Sequence, residues 1–446
     1  MKLFGTDGIR GKANSYPMTP EMAMKIGKAV AKIFRNGEKR HKILIGKDTR
    51  LSGYIIETAL TSGICSMGVD VYLVGPMPTP AIAYLTRSLG ADASIMISAS
   101  HNPADDNGIK FFSNKGFKLS KEIEEKIENQ VFSEDITSDH ITGDKIGKAF
   151  RIDDAPGRYI EFIKSTINSN DLSGMRAVID CANGAGYSIA PKILMELGVE
   201  TIAINDKPDG LNINHKCGAV HLEPLKEAVI KYRADIGISL DGDADRCILV
   251  DEKGEEFDGD FIMALVGKYM NDNNKLEKKT IVGTIMSNFG FEKFCNENGI
   301  NLVRTAVGDK QVVEEMRKSN YNFGGEQSGH IIFFDYGTTG DGILVGVQVL
   351  NIMKENNKKL SDLRMFKKIP QVLLNIEVKE KKDFAKIENV KKKVDEIKNL
   401  LGDEGRVFVR CSGTQNLCRI TVEGDKKEKI HEYSNQIANE IKKAGG

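Results

Sequence analysis

A long-period repeat covers most of the chain between residues 42 and 340. Three segments, starting at residues 42, 176 and 279, each consist of an apolar strand, a helical stretch closed by glycine and a second apolar strand. This order is that of a βαβ unit, in which the crossover helix makes the two strands parallel. We therefore predict three related α/β domains with mixed, largely parallel sheets and helices on the sheet faces.

A polar loop between two apolar strands follows each of the three units. The loops contain the sequences SASHNP at 98–103, DGDADR at 241–246 and GGEQSGH at 324–330. Ligands of α/β proteins bind in loops at strand ends. We therefore expect the three loops to serve one central cleft.

The pattern changes after a lysine- and asparagine-rich segment at 354–370. A strand at 371–379, a helix, two strands within 406–424 and a final helix predict a smaller C-terminal α+β domain. The expected domains are 1–150 with the serine loop, 151–252 with the acidic loop, 253–367 with the glycine-rich loop, and 368–446.

Charge and hydropathy restrict the classes of partner. Lysine and arginine total 63 and so do aspartate and glutamate, so the chain has no net basic field to attract nucleic acid or anionic lipid. The start lacks the apolar core of a signal peptide, and the sequence has no apolar run of about 18 residues. We expect a cytoplasmic protein with no nucleic-acid or membrane partner.

The sequence DGDADR predicts a metal site. Asp241, Asp243 and Asp245 place three carboxylates within five residues, and their mutual repulsion favours a bound cation. Ligands that are all oxygen suit Mg²⁺ or Ca²⁺ better than zinc. An EF-hand is one alternative, although Arg246 stands where that loop needs glycine and a strand precedes the motif. A solvated acidic turn is the other.

The residues of the serine loop allow two interpretations. Ser100 beside a divalent ion would suit a phosphoryl carrier, but Ser, His, Asn and Pro also form turns. His101 is more typical of a residue that orients a loop than of a base. Lys110 stands alone between apolar residues of a strand, a pattern typical of a surface lysine.

Two further motifs have the composition of binding loops. GGEQSGH supplies donors and acceptors between glycines, which suits a polyol, although a plain glycine-rich turn is an equal alternative. RCSGT at 410–414, with Arg419 beyond it, combines a guanidinium, hydroxyls and glycine, which suits a phosphate. The alternative there is a β-turn with polar side chains.

Taken in order, the motifs resemble those of the α-D-phosphohexomutase superfamily over essentially the whole chain. The matching sequences are GTDGIRG at 5–11, SASHNP at 98–103, DGDADR at 241–246, GGEQSGH at 324–330 and RCSGT at 410–414. The ISASHNP and GEQSGH forms are most similar to members that interconvert glucosamine 6-phosphate and glucosamine 1-phosphate for UDP-N-acetylglucosamine synthesis. Members acting on glucose or mannose phosphates are the nearest alternative, and a non-catalytic sugar-phosphate or Ca²⁺ sensor is an alternative of another class.

The resemblance implies roles for individual residues. Ser100 would be the phosphoserine and would bind Mg²⁺ together with Asp241, Asp243 and Asp245. Lys110 and Arg246 would lie near the transferring phosphoryl group, His101 would order the serine loop, and Arg10 would contact that loop. Glu326 and Ser328 would bind sugar hydroxyls. The phosphate that is not reacting would be bound by Arg410, Ser412, Gly413 and Thr414. The implied partners are a sugar phosphate and a sugar bisphosphate, and the resemblance allows a homodimer.

The sequence departs from the superfamily pattern in two places. Cys411, Gln415 and Asn416 replace two prolines and a glutamate of the phosphate loop. Ala306 and Lys310 stand where the superfamily often has lysine and arginine, while Asp309 is retained.

Overall fold

The structure is a computed structural model that describes residues 3–5, 7–37, 39–133, 136, 141–169, 171–379, 382–411 and 416–445, the side chain of Cys411 excepted. The chain divides into two compact units. The first comprises Met1–Ile285 and Asn301–Arg364, and the second comprises Met286–Ile300 and Met365–Gly446. The first unit contains three sheets and the second contains one.

The first sheet has six strands. Its elements are β1 (Ile9–Lys12), α1 (Pro20–Phe34), β2 (Lys42–Lys47), α2 (Gly53–Ser66), β3 (Asp70–Pro76), α3 (Thr79–Ser88), β4 (Ala93–Ile97), β5 (Asp106–Ser113), α4 (Lys121–Val131) and β6 (Ala149–Arg151). The strand order is β1-β5-β4-β2-β3-β6. Strand β2 runs parallel to β3 and β4, whereas β5 is antiparallel to β4 and β1. The β4–β5 connection holds the serine loop.

The second sheet has five strands. Its elements are α5 (Ala155–Lys164), β7 (Arg176–Asp180), α6 (Ile189–Glu196), β8 (Glu200–Ile204), α7 (Glu223–Tyr232), β9 (Ile236–Leu240), β10 (Cys247–Asp251) and β11 (Glu256–Phe257). The order is β11-β10-β9-β7-β8, with β7 parallel to β8 and β9. The acidic loop connects β9 to the antiparallel β10.

The third sheet has four strands. The elements of this part of the chain are α8 (Gly259–Asp272), β12 (Thr280–Thr284), α9 (Phe289–Glu297), β13 (Asn301–Thr305), α10 (Asp309–Ser319), β14 (Phe323–Gly325), β15 (Ile331–Phe333) and α11 (Gly342–Asn356). The order is β13-β12-β14-β15, and the glycine-rich loop joins β14 to the antiparallel β15. Helix α9 belongs to the second compact unit, although it connects two strands of this sheet.

The second unit contains a three-stranded antiparallel sheet with helices against it. Its remaining elements are β16 (Gln371–Glu377), α12 (Glu388–Leu401), β17 (Gly405–Cys411), β18 (Leu417–Gly424) and α13 (Lys427–Lys443). The order is β16-β18-β17. Its core includes Phe384, Val390, Ile420 and Ile437, each with no exposed surface. This is the α+β arrangement expected from the sequence.

The predicted fold class is confirmed. Each repeat forms two parallel strands, namely β2 with β3, β7 with β8 and β12 with β13. The central strands are apolar along their length because both sheet faces are covered, and Ile43, Leu44 and Ile45 have no exposed surface. Within the described part of the chain, no helix combines the length and the apolar character needed to cross a membrane.

Two glycines bring α1 and α2 into close contact. A Cβ added at Gly63 would lie 2.3 Å from the carbonyl oxygen of Met24, and one added at Gly27 would lie 2.6 Å from that of Leu60. Both obstacles are backbone atoms, so neither can move without shifting a helix. The two helices can therefore pack at this distance only with glycine at these positions.

We predict that Gly63→Ala lowers the free energy of unfolding by about 1–3 kcal/mol, because the added methyl group forces the helices apart. The measurement is urea unfolding followed by circular dichroism. Gly157→Ala is the matched control, since a Cβ at Gly157 in α5 meets no atom within 4 Å. That variant is expected to gain about 0.5 kcal/mol from helix propensity. Equal stability of the two variants would contradict this account of the packing.

A buried carboxyl joins the start of α11 to α5. Asp341 Oδ1 accepts the backbone N–H groups of Ile343 and Leu344 at 3.1 and 3.0 Å, and the Tyr159 hydroxyl donates to Oδ2 at 2.7 Å. Burial raises the pKa of Asp341 to about 6, although these hydrogen bonds favour the ionised form. The folded chain therefore holds this proton at a pH where the unfolded chain has released it.

We predict a pH-dependent effect of Asp341→Asn on stability. Because the folded pKa of about 6 exceeds the reference value of 3.8, the contribution of this carboxyl is fully present below 3.8 and is lost as pH rises through 6. The amide cannot ionise, so it does not lose stability in this way. As the pH rises from 4 to 7.5, the free energy of unfolding of the variant should therefore increase relative to that of the unsubstituted chain, by up to about 3 kcal/mol. Urea unfolding at both pH values measures this difference, and a difference that does not vary with pH would contradict the prediction.

Candidate active site

Ser100 lies in the tight loop that connects β4 to β5. It adopts a left-handed backbone conformation with φ of 55° and is 2% exposed. Its backbone N–H donates to Ser98 Oγ at 2.9 Å, and its hydroxyl donates to Asp241 Oδ2 at 2.8 Å. The first repeat thus presents a hydroxyl directly to a carboxylate of the second.

The acidic loop holds three carboxylates together. Asp241, Asp243 and Asp245 are buried, and one carboxylate oxygen from each lies within 4.8 Å of the others. Gly242 allows the serine loop to approach, because a Cβ there would lie 2.5 Å from the Ser100 carbonyl oxygen. The flanking elements are the strands β9 and β10, so the EF-hand alternative, which needs a helix on each side, is wrong.

The three carboxylates differ in their electrostatic environment. Burial, followed by the negative charges of Asp245 and Asp243, raises the pKa of Asp241 well above its usual range. Burial also opposes ionisation of Asp245, but Lys110 and other cationic neighbours hold its pKa well below the usual range. The cationic neighbours therefore favour the ionised form of Asp245, but they do not offset the effect of burial and of the nearby carboxylates at Asp241.

Lys110 is a buried residue of the site. It is 1% exposed on β5, and its Nζ lies 2.7 Å from Asp243 Oδ2, 3.4 Å from Asp7 Oδ2 and 3.6 Å from Asp245 Oδ2. The interpretation of Lys110 as a surface residue is therefore wrong. Although burial disfavours the charged amine, Asp243 and Asp7 raise its pKa above the usual range, so it is a permanent cation beside the acidic loop.

The acidic loop fits a divalent cation. Asp243 Oδ1 is buried and accepts no hydrogen bond from any residue that the structure describes. Asp245 Oδ1 also accepts none within hydrogen-bond distance, although His330 Nδ1 lies 3.6 Å from it. A buried carboxylate oxygen without a donor is costly unless a cation is bound to it. Three carboxylate donors suit a hard cation with oxygen ligands. These residues thus form a candidate metal site.

Three cationic or ring side chains border the serine and acidic loops. Arg10 donates through Nη1 to the carbonyl oxygen of Ala99 at 3.4 Å and also pairs with Asp7. The backbone N–H of Arg246 donates to Asp241 Oδ1 at 3.2 Å, and its side-chain Nε lies 3.9 Å from Asp245 Oδ1. His101 Nδ1 lies 3.4 Å from Ser100 Oγ. Burial, then Arg246 and Arg10, lower the pKa of His101 to about 4, so its ring is neutral near pH 7.

The glycine-rich loop adjoins the acidic loop. Glu326 is 9% exposed, and its Oε1 accepts the N–H of Gly308 at 3.0 Å, whereas Ser328 is exposed. His330 Nε2 accepts the N–H of Gly340 at 3.0 Å, so its proton is on Nδ1, which lies 3.6 Å from Asp245 Oδ1. The three loops of the three repeats therefore meet within the first unit.

Several residues of this region were not selected from the sequence. Asp7 lies between Lys110 and Lys118, and Lys118 also pairs with Asp309. Thr79 is fully buried and its hydroxyl donates to Asp243 Oδ2 at 2.5 Å. Asp7 and His330 stand within recognisable motifs, whereas Thr79 and Lys118 have no local signal and become visible only through their contacts.

The C-terminal phosphate motif belongs to the second unit. Arg410 is half-buried near the end of β17, directly opposite Arg419 of β18. Ser412, Gly413 and Thr414 lie outside the described residues. The role of this motif therefore stays a prediction of the sequence.

The chain matches four domain families in order. They are described as phosphoglucomutase/phosphomannomutase alpha/beta/alpha domain I, matched at residues 1–138; domain II, at 157–254; domain III, at 258–369; and the C-terminal domain, at 373–440.

Relatives with similar sequence or structure cover the whole chain. A phosphoglucosamine mutase of Geotalea uraniireducens is 55% identical over 444 residues, covering 99% of this chain and 98% of the relative. The crystal structure of a phosphoglucomutase/phosphomannomutase family protein from Burkholderia thailandensis has a TM-score of 0.84 at 22% identity, covering 100% of this chain and 98% of that one. The structure of Aspergillus fumigatus N-acetylphosphoglucosamine mutase in complex with GlcNAc-6P and magnesium has a TM-score of 0.66 at 19% identity, covering 100% and 96%. The chain belongs to the phosphoglucosamine mutases, which are isomerases of the α-D-phosphohexomutase superfamily.

Proposed function

We propose that the chain interconverts glucosamine 6-phosphate and glucosamine 1-phosphate in the cytoplasm, by phosphoryl transfer from a phosphoserine at Ser100 through a bisphosphate intermediate. The observation that carries the proposal is the 2.8 Å hydrogen bond from Ser100 Oγ to Asp241, at the edge of three clustered carboxylates. A hydroxyl placed there can carry a phosphoryl group whose charge a bound cation neutralises.

We propose Mg²⁺ as the cation, held by Asp241, Asp243, Asp245 and an oxygen on Ser100. The donor set supports this assignment, since all ligands are oxygen and two carboxylate oxygens have no hydrogen-bond donor among the described residues. The magnesium in the Aspergillus fumigatus structure agrees with it. When bound, the ion would supply neutralisation of charge on the phosphoryl oxygens.

The reaction has two transfers that use the same residues. In the first, the bond between Ser100 Oγ and phosphorus breaks as the free sugar hydroxyl forms its own bond to phosphorus, giving the bisphosphate. The hydroxyl loses its proton in this step, and Ser100 Oγ takes one up to become a free serine hydroxyl. In the second, Ser100 Oγ attacks the other phosphoryl group and the bond between that phosphorus and its sugar oxygen breaks. The serine proton has an acceptor 2.8 Å away in Asp241 Oδ2, and the departing sugar oxygen takes up a proton to leave as a hydroxyl. We propose that Lys110 and Arg246 stabilise charge on the equatorial oxygens, which the position of both residues beside the acidic loop supports.

Binding of the substrate is assigned to the other two loops. Glu326 and Ser328 are proposed to hold sugar hydroxyls. Glu326 Oε1 already accepts the Gly308 N–H, so we assign the contact with the sugar to Oε2. Arg410, Ser412, Gly413 and Thr414 are proposed to bind the phosphate that is not reacting. Since the bisphosphate must bring each of its phosphates to Ser100 in turn, this phosphate-binding site has to accept both orientations of the sugar.

The test of the proposed function is turnover of glucosamine, glucose and mannose 1-phosphates by the same enzyme preparation with Mg²⁺. We expect kcat/KM for the glucosamine phosphate to exceed the other two by at least tenfold. Formation of each 6-phosphate is followed by ³¹P NMR, which separates the isomers directly. A preference for glucose or mannose phosphate would contradict the assignment and support the nearest alternative.

Ser100→Ala separates the enzyme from a non-catalytic sensor. The variant loses the carrier oxygen, so we expect mutase activity to fall below detection while glucosamine 6-phosphate still binds in calorimetry. Ser113→Ala in the same domain is the matched control, because Ser113 lies at the far end of β5 and its hydroxyl donates to the nearby Phe117 carbonyl oxygen at 3.3 Å. Full activity of Ser100→Ala would refute the carrier role.

A further inference from the structure

Arg50 lies beneath the serine loop and is fully buried. Its five N–H groups all have acceptors. Nε donates to Asp48 Oδ2 at 2.8 Å. The other two nitrogens donate to the carbonyl oxygens of three loop residues, Ser100 (3.0 Å), Asn102 (2.8 Å) and Pro103, and to that of Asp106 (3.0 Å) at the start of β5. A single guanidinium thus contacts the serine loop from Ser100 to the start of β5.

Asp48 joins this guanidinium to the serine from the other side. Its Oδ2 also accepts the Ser98 hydroxyl at 2.7 Å, and Ser98 Oγ in turn accepts the Ser100 N–H at 2.9 Å. The backbone N–H and the carbonyl oxygen of Ser100 are therefore held by one connected network. Every member of it except Ser100 itself lies outside the residues assigned to the reaction above.

Asn214, from the second repeat, contacts the same carbonyl oxygens. Its Nδ2 donates to Ser100 O at 2.9 Å and to Asn102 O at 3.0 Å, the two acceptors shared with Arg50 Nη2. Both neighbours are carbonyl oxygens, so the amide nitrogen must face them. Arg50 and Asn214 therefore hold the loop from the first and the second repeat respectively.

The conformation of Ser100 explains why the loop needs this support. A φ of 55° is unfavourable for any residue with a Cβ, and it persists only where the surroundings fix it. Relaxation of Ser100 would rotate its carbonyl oxygen away from Arg50 and Asn214 and would turn its side chain away from Asp241. The hydrogen bonds to the carbonyl oxygen thus determine where Oγ points.

We infer that Arg50 and Asn214 are positioning residues for phosphoryl transfer, which clamp the Ser100 carbonyl oxygen and so aim Oγ, and its phosphate, at the acidic loop. This inference rests on the proposed function. The planar fork of arginine is required, because a lysine ammonium has three N–H groups at one point and cannot reach five acceptors arranged around a plane. A purely structural role for Arg50 would affect stability without a specific effect on the phosphoserine.

The test compares Arg50→Lys with Arg40→Lys. Arg40 is the matched control because its fork also binds a carboxylate, Asp70, at 3.0 and 2.8 Å, and a backbone carbonyl, that of Ile146, at 3.0 Å, beside the opposite end of β2. Each enzyme is phosphorylated with glucose 1,6-bisphosphate, and the phosphoserine is observed by ³¹P NMR. Turnover of glucosamine 1-phosphate gives kcat and KM.

For Arg50→Lys we expect kcat to fall at least 30-fold with KM changed less than threefold, a shifted phosphoserine resonance, and hydrolysis of the phosphoserine at least tenfold faster. Arg40→Lys should remain within twofold of the unsubstituted enzyme in all of these. Asn214→Ala removes the hydrogen bonds from the other repeat and should change kcat and the phosphoserine resonance in the same direction. This variant tests the inference if Arg50→Lys does not fold.

Unchanged kcat, resonance and hydrolysis in the folded variants would overturn the inference, and so would equal losses in Arg50→Lys and Arg40→Lys. Failure of the proposed function gives a different result. In that case the unsubstituted enzyme does not convert glucosamine 1-phosphate, whereas the resonance of its phosphoserine still moves in Arg50→Lys.

Discussion

The site depends on the repulsion among three buried carboxylates and on the cationic groups that offset it. Asp241, Asp243 and Asp245 lie within 4.8 Å of one another, and the nearest permanent cation of the chain is Lys110. Lys110 and Thr79 both bind the same oxygen of Asp243, which leaves its other oxygen without a donor among the described residues. A bound cation and a phosphorylated Ser100 would complete this balance, because each offsets the charge of the other.

The repeated fold brings these groups together. Each repeat is followed by a loop that joins a strand to its antiparallel neighbour, and the three loops meet inside the first unit. Contacts that join the repeats are short and polar, such as Ser100 to Asp241, Asn214 to Ser100 and Thr79 to Asp243. Gly242 is essential to this arrangement since any side chain there would displace the Ser100 carbonyl oxygen. Precise placement of one hydroxyl therefore depends on backbone contacts from two repeats.

Much of the fold could be predicted from the sequence, because βαβ units and their loops depend on local patterns of apolar residues and glycine. The acidic loop was likewise visible, since three carboxylates in five residues are conspicuous. The burial of Lys110 was not, because a lysine between apolar residues reads as a surface residue until Asp7 and Asp243 are placed beside it. Thr79, Lys118, Arg50 and Asn214 each contact a residue of the site or of the serine loop that is 50 or more residues away, for example Asn214 with Ser100 at a separation of 114 residues. Such contacts leave no local trace in the sequence.

The central claim is that Ser100 and the three aspartates share one cation. The most direct measurement is the ³¹P resonance of the phosphorylated enzyme as Mn²⁺ replaces Mg²⁺, since a paramagnetic ion broadens the signal of a phosphate that it binds. The account predicts that stoichiometric Mn²⁺ broadens the phosphoserine resonance beyond detection and that Asp243→Asn weakens this effect. A resonance that stays sharp while Mn²⁺ is bound to the enzyme would contradict it.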